Sequence, residues 1–332
     1  MRKIKIAQIG TSRYSHGNDI FRTLKSLPDI FEIVGYALPE NEREKFPERM
    51  EILKDYREMT VEEILSDPEI EAVTIETEEI YLTKYATLAA KSGKHIHCEK
   101  PGGREYEDFK NLIEIAREKK TVLHFGYMYR YNPYISKLIE RVKAGEIGEV
   151  INVEAQMNCL HPKEARQWMS TFKGGMMFFL GCHLIDLILQ IQGEPQNVIP
   201  LNKCSGVDGV GGEDFGMAVL EYPKAFSFAK ASAVEYGGYT RRQLVVSGTR
   251  GTIEVRPLED CGYPILKTGY REVYDSTWGS DAPFNKNEGA DRYIEMMTQF
   301  AKMVRGEKQN PYTLDYELKL YETVLKACGV EF

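Results

Sequence analysis

The chain has no apolar stretch approaching the roughly twenty residues a membrane span needs, no tract dense in lysine and arginine, and no cysteine pair at C-x-x-C spacing. The first absence argues against a membrane partner. The second, with 43 Lys plus Arg against 50 Asp plus Glu and a net charge of −7, argues against duplex nucleic acid. The six cysteines, at 98, 159, 182, 204, 261 and 328, are scattered and have no close histidine neighbours at zinc spacing. No metal site is expected, and the thiols read as reduced groups in or near cores. Repeats and low-complexity tracts are also missing. Near the start, Ile4-Lys5-Ile6-Ala7-Gln8-Ile9 has apolar residues too few and too interrupted for a secretory signal. It reads as a first strand, and a cytoplasmic protein is expected.

What is present is enough chain, 332 residues, for two domains with a cleft between them. Residues 1–126 alternate strand-like apolar runs (3–9, 31–37, 71–76, 94–98 and 121–125) with helical spacing, as in Ile20-Phe21-Leu24-Leu27 and Phe109-Leu112-Ile113-Ala116. That alternation predicts a doubly wound parallel sheet. The second domain, 127–332, begins with a helix opened by Asn132-Pro133 and running to Gly145, followed by a strand from Glu149 to Met157. Extended runs at 215–222, 225–236, 243–247 and 252–255 predict an open, mostly antiparallel sheet. Helices from Gly289 to Val304 and from Leu314 to Cys328 close the chain, the last placed to pack back on the first domain.

The residues that carry chemistry fall at strand ends. His95-Ile96-His97-Cys98-Glu99-Lys100 is a strand stopped by Pro101-Gly102-Gly103, which sets an ammonium at the carboxyl end of a strand, where open α/β sheets bind ligands. Pro101 pushes Lys100 out of helical geometry, so the side chain is aimed. After the first strand, Gly10-Thr11-Ser12-Arg13-Tyr14-Ser15 stands where a dinucleotide fold has G-x-G-x-x-G, with serines at the second and third glycine places. Leu38 occupies the place of the acid that holds an adenosine ribose. Glu40 and Glu42 follow closely and would repel a 2′-phosphate, whereas Arg13 or Arg43 would attract one. Farther on, Gly174-Gly175 enters an apolar helix carrying His183 and Asp186, whose i, i+3 spacing puts both on one face. His16 and His124 read as turn and strand-end residues, His161 as a loop residue.

Taken in order, the Gly10 turn, Gly93-Lys94-His95 through Glu99-Lys100-Pro101, Arg130-Tyr131-Asn132-Pro133 with Gly145-Glu146-Ile147-Gly148, and Gly174-Gly175 with His183-Leu184-Ile185-Asp186 resemble the glucose-fructose oxidoreductase / inositol dehydrogenase / MocA family over essentially the whole chain. The resemblance implies an NAD cofactor, with NADP open, held by Gly10, Thr11, Ser12, Arg13, Leu38, Thr77, Glu99 and Lys100. It implies catalysis by Lys100 and His183, with Asp186 in support, and hydride transfer between the nicotinamide and a secondary alcohol or ketone of a sugar, sugar derivative or cyclitol. Tyr129, Arg130, His161, Trp168 and His183 would bind that small carbohydrate or polyol. A cis Lys100-Pro101 peptide and a homodimer or homotetramer are implied too. Two departures stand out. Phe179 replaces an aspartate that many members place four residues before the histidine, and Thr77-Glu78-Glu79 replaces a usual Thr-Pro. The alternatives are a catalytically silent nucleotide-binding sensor, or an enzyme using retained NAD transiently in sugar elimination or epimerisation.

Overall fold

The computed structural model describes residues 2–274, 276 and 278–332. The chain forms two compact units, Met1–Met128 with Tyr293–Lys319, and Tyr129–Arg292 with Leu320–Phe332. Segment 293–319, sequence-distant from the first unit, is therefore part of it.

The first unit is built on five parallel strands, β1 (Ile4–Ile9), β2 (Phe31–Ala37), β3 (Ala72–Ile75), β4 (His95–Cys98) and β5 (Leu123–Phe125), in the order β2-β1-β3-β4-β5. Its helices within 1–128 are α1 (Gly17–Ser26), α2 (Glu42–Lys45), α3 (Val61–Ser66), α4 (Leu82–Lys91) and α5 (Tyr106–Lys119). β3 is buried at every residue and β1 at every residue but Lys5, as a sheet covered by helices requires, and α1 buries Ile20, Phe21 and Leu24. Local chemistry sets the helix starts. At α3 the Thr60 hydroxyl accepts from Glu63 N at 3.1 Å while the Glu63 carboxylate accepts from Thr60 N at 2.6 Å, a reciprocal cap. The strand order reverses between β1 and β3, and it is at the carboxyl ends of such a pair that doubly wound sheets open a crevice.

In the second unit, α6 (Pro133–Lys143) is capped by Asn132, whose side-chain oxygen accepts from the N–H groups of Tyr134 and Ile135 at 3.0 and 3.1 Å. Short α7 (Lys163–Met169) follows β6 (Val150–Asn158) and precedes a π-helical turn, Met177–Gly181, that runs directly into α8 (Cys182–Gln192). The remaining strands are β7 (Asn197–Pro200), β8 (Phe215–Glu221), β9 (Phe226–Ser232), β10 (Gln243–Gly248), β11 (Gly251–Val255), β12 (Ile265–Leu266), β13 (Gly269–Tyr274), β14 (Asn285–Lys286) and β15 (Ala290–Asp291). Eight of them form one sheet in the order β14-β13-β11-β10-β6-β9-β8-β7, antiparallel except for the parallel β6–β9 pair. Alternation along β8, with Gly216, Ala218 and Leu220 buried, marks a sheet with one covered face, and α8, buried at every residue but its last, packs on β6 and β9.

The fold class expected from the sequence is the one observed. Some boundaries differ. The helix expected from Gly289 begins only at Ile294, as α9 (Ile294–Val304), because Ala290–Asp291 pairs with Ile265–Leu266 as a strand. The last helix, α10 (Leu314–Ala327), stops one residue early. Strand β13 carries Tyr270, Arg271 and Glu272 and reads as too polar for a strand, so periodicity alone missed it. Cys204 and Cys261 are exposed rather than in cores, while Cys98, Cys159, Cys182 and Cys328 are buried. Among the described residues no helix is long and apolar enough to cross a membrane, and no His/Cys/Asp/Glu group is arranged to hold a metal.

Candidate active site

In the first unit six of the predicted nucleotide residues, Gly10, Thr11, Ser12, Thr77, Glu99 and Lys100, lie at the carboxyl ends of β1, β3 and β4. Gly10 leaves β1 at φ +86°, and a Cβ there would lie 2.5 Å from Thr77 Cγ2, so only glycine lets the β1 turn approach the β3 turn this closely. The Ser12 N–H donates to the Glu76 carbonyl at 2.8 Å. Thr11, Ser12 and Thr77 are fully buried. Parallel pairing in register, Ile75 beside Cys98, carries Glu76–Glu79 out of β3 alongside Glu99 and Lys100 leaving β4. Lys100 is 1 % exposed; its N–H donates to Glu99 Oε1 at 2.8 Å and its Nζ lies 4.0 Å from that oxygen. The Lys100–Pro101 peptide is cis.

His16 belongs to this group, not merely to a turn. Its N–H donates to Glu99 Oε2 at 2.9 Å and its Nδ1 lies 2.6 Å from the same oxygen. Burial alone would raise the Glu99 carboxyl, yet the His16 ring and the Lys100 ammonium outweigh it and hold Glu99 below the usual carboxylate range. Its neighbours go the other way. Burial, with the Glu99 charge adding to it, drives Glu76 well up, and burial pushes Glu79 up to about 8 against the pull of Lys100. Three buried carboxyls thus sit here with one favoured as the anion, which lessens repulsion toward an anionic ligand. Glu79 is marked in the sequence by the Thr77-Glu78-Glu79 departure, whereas Glu76 and the pairing of His16 with Glu99 have no sequence motif and follow from strand register.

Arg13 and Leu38 stand apart from that cluster. Arg13 is half-exposed, paired with Glu48 at 2.8 Å, and Leu38 packs on the Phe21–Tyr36–Leu53 cluster.

The fit of this pole to a dinucleotide rests on its polar atoms. The buried Ser12 hydroxyl and Glu42 Oε1 have no hydrogen-bond partner among the described residues, beside a turn that a Cβ at Gly10 would fill. Hydroxyl, phosphate and amide groups of a dinucleotide would satisfy such atoms.

In the second unit, His183 lies in the first turn of α8, 1 % exposed, with its ring edge-on to Tyr129 at 5.6 Å between centroids. The Gly174-Gly175 entry is imposed by space. A Cβ at Gly174 would meet Cys328 Sγ at 2.3 Å, and one at Gly175 the Glu213 carbonyl at 2.2 Å. Phe179 sits in the π-helical turn, 5.1 Å from Trp168 and 5.9 Å from His161 between ring centroids, so it gathers two predicted substrate residues into one aromatic group. Asp186 is gripped by Arg130, Nε to Oδ2 at 3.0 Å and Nη2 to Oδ1 at 2.9 Å, and accepts from Gln190 Nε2 at 2.9 Å. Both ends of that bidentate pair are buried, which makes it a rigid brace on α8. Beside it, the buried Tyr129 hydroxyl is raised by burial and by the Glu259 charge, with Arg242 and Arg292 opposing.

A parallel nucleotide-binding sheet and a second unit on an open mixed sheet define a nicotinamide-nucleotide oxidoreductase class. Residues 4–127 match the oxidoreductase family with an NAD-binding Rossmann fold, and residues 135–254 match the GFO/IDH/MocA C-terminal domain; the chain belongs to the GFO/IDH/MocA family of NAD(P)-binding oxidoreductases. It is 25% identical to mouse trans-1,2-dihydrobenzene-1,2-diol dehydrogenase over 329 residues, 95% of this chain and 94% of that one. It is 24% identical to scyllo-inositol 2-dehydrogenase (NADP(+)) IolW of Bacillus subtilis, over 85% of this chain and 77% of that one. An oxidoreductase of Thermotoga maritima shares the fold at TM-score 0.79 and 20% identity, covering 98% of this chain and 96% of that one.

Proposed function

We propose that this protein oxidises a secondary alcohol, or reduces the matching ketone, of a sugar, sugar derivative or cyclitol, exchanging hydride with a nicotinamide dinucleotide. The observation that carries the reading is Lys100, an ammonium buried at the carboxyl end of β4 with Glu99 beside it. Names of the mouse and Bacillus relatives, a diol and an inositol dehydrogenase, support a polyol substrate.

Gly10, Thr11, Ser12, Thr77 and Glu99 would hold the dinucleotide, which supplies hydride acceptance and donation at its nicotinamide. Lys100 polarises the substrate oxygen and stabilises alkoxide character on it. His183 takes the hydroxyl proton on oxidation and returns it on reduction. Asp186, held by Arg130 and Gln190, fixes α8 and so the place of the imidazole. Tyr129, His161 and Trp168 form the polyol-binding wall. Phe179, where many members have a carboxylate, favours as a second reading a protein that binds the nucleotide without net turnover.

Incubation with a panel of sugars, polyols and cyclitols plus NAD or NADP, following nicotinamide absorbance and products, tests this. Stoichiometric nucleotide reduction with ketone formation is the expected result. Tight nucleotide binding with no net redox change and no product would overturn it in favour of the silent sensor. Assembly as a homodimer or homotetramer is checked by sedimentation.

A further inference from the structure

In a dinucleotide fold the acid just past the second strand grips the adenosine ribose, and in this chain Leu38 holds that position with its side chain packed on an apolar cluster. A little farther on, Glu42 is fully buried. Its Oε2 accepts a 2.6 Å hydrogen bond from the Thr11 N–H, which ties the carboxyl to the same turn as Gly10 and Ser12. Its Oε1 is buried too and, among the described residues, has no hydrogen-bond donor. An acceptor left in that state is costly, so it suits a donor that arrives with a ligand. Burial pushes this carboxyl up to about 8, the Thr11 N–H opposing, which again reports a shortage of donors.

We propose that Glu42 takes over the place vacated by Leu38, with Oε1 accepting from a hydroxyl of the adenosine ribose, and that this makes the protein selective for NAD over NADP. A second, independent observation concerns the cations that a 2′-phosphate would need. Arg13 is held by Glu48 at 2.8 Å, Lys45 by Glu78 at 3.2 Å, and Arg43 by Glu58. Arg49 donates to the Ser15 carbonyl at 3.1 Å. Arg13, Arg43 and Lys45 are therefore each held by a carboxylate, Arg49 meets only a backbone carbonyl through Nη2, and a 2′-phosphate brought to Glu42 would meet a carboxyl. The selectivity is notable because the Bacillus relative is named for NADP(+). The assignment rests on the dehydrogenase reading above.

The test is a fluorescence titration of the full chain with NADH and NADPH, for wild type, Glu42→Gln and Glu42→Ala. It is paired with displacement of NADH from wild type by adenosine 5′-monophosphate or adenosine 2′,5′-bisphosphate. Wild type binds NADH at least about tenfold more tightly than NADPH, and the monophosphate displaces better than the bisphosphate. Both variants lower NADH affinity and narrow the ratio, Glu42→Ala by about tenfold. Equal or tighter NADPH binding by wild type, or a ratio unchanged in both variants, overturns the assignment while leaving the dehydrogenase reading intact. Should neither variant fold, better displacement by the bisphosphate overturns it from wild type alone. Binding of neither nucleotide overturns both.

Discussion

Lys100 and His183 are singled out by different physics. The lysine is a buried charge beside Glu99, and burying a charge is tolerated only where a partner or a purpose offsets the loss of water. The histidine is a buried imidazole on an apolar helix, braced by an ion pair one turn away. Steady-state kinetics on Lys100→Ala and His183→Ala are expected to show kcat lowered by roughly a hundredfold each, with nucleotide affinity nearly kept. Near-normal rates in both would discard the proposed roles. Glu79 makes a separate prediction. Its folded carboxyl titrates near 8 against an ordinary 4.5, so the stability tied to its bound proton is complete below about pH 4.5 and is lost as pH rises toward 8. Glu79→Gln keeps the shape without the ionisation. In thermal unfolding, the variant and wild type should match in acid, and the variant should gain over wild type as the pH approaches 8.

Two elements position these side chains, and each depends on a backbone feature. The turn after β1 closes on the β3 turn only because Gly10 has no Cβ and adopts a positive φ. Gly10→Ala is expected to cost about 1–3 kcal/mol and to weaken nucleotide binding, read by circular dichroism melts and nucleotide titration. An unchanged melting temperature would mean that the turn can move away from Thr77 without cost. The π-helical turn Met177–Gly181 is the other. Such turns insert a residue into a helix and redirect the side chains that follow, and here the insertion immediately precedes His183. A hydrophobic run such as Met176–Leu180 announces burial but not this change of helical pitch.

Across the molecule, ionisable groups in the interior make stability depend on pH from both sides. Burial lowers His97 to about 4, so its ring is neutral when folded and binds protons more readily once unfolded. Its contribution is therefore complete above about pH 6.5 and is lost as pH falls from there toward 4, by about 1.4 kcal/mol for each pH step crossed. Glu42 and Glu79 act oppositely, losing stability as pH rises from about 4.5 toward 8. Between about pH 4.5 and 6.5 the two carboxyls outweigh the one imidazole, so unfolding free energy should rise as pH falls from 8 toward 4.5, and His97→Gln, which removes the opposing imidazole, should steepen that rise below pH 6.5. A slope left unchanged by His97→Gln would show that the His97–His124 contact, 2.8 Å between Nδ1 atoms, tolerates a proton.

The parallel and mostly antiparallel sheets, the glycine turn, and the placing of Lys100 after a strand and His183 on a helix were legible along the chain, because apolar periodicity, proline, glycine and short spacings are local properties, whereas the joining of 293–319 to the first unit was not. Those local properties bias each segment wherever it finally lies. The joining of His16 to Glu99, the seating of Glu42 on Thr11, the Arg130–Asp186 brace and the His161–Phe179–Trp168 group were not legible, since each unites residues far apart in sequence or turned by an irregular helix. Burial and partner are set only when strands take their register and helices dock, and in this protein that docking decides which carboxyls keep a proton and which remain charged.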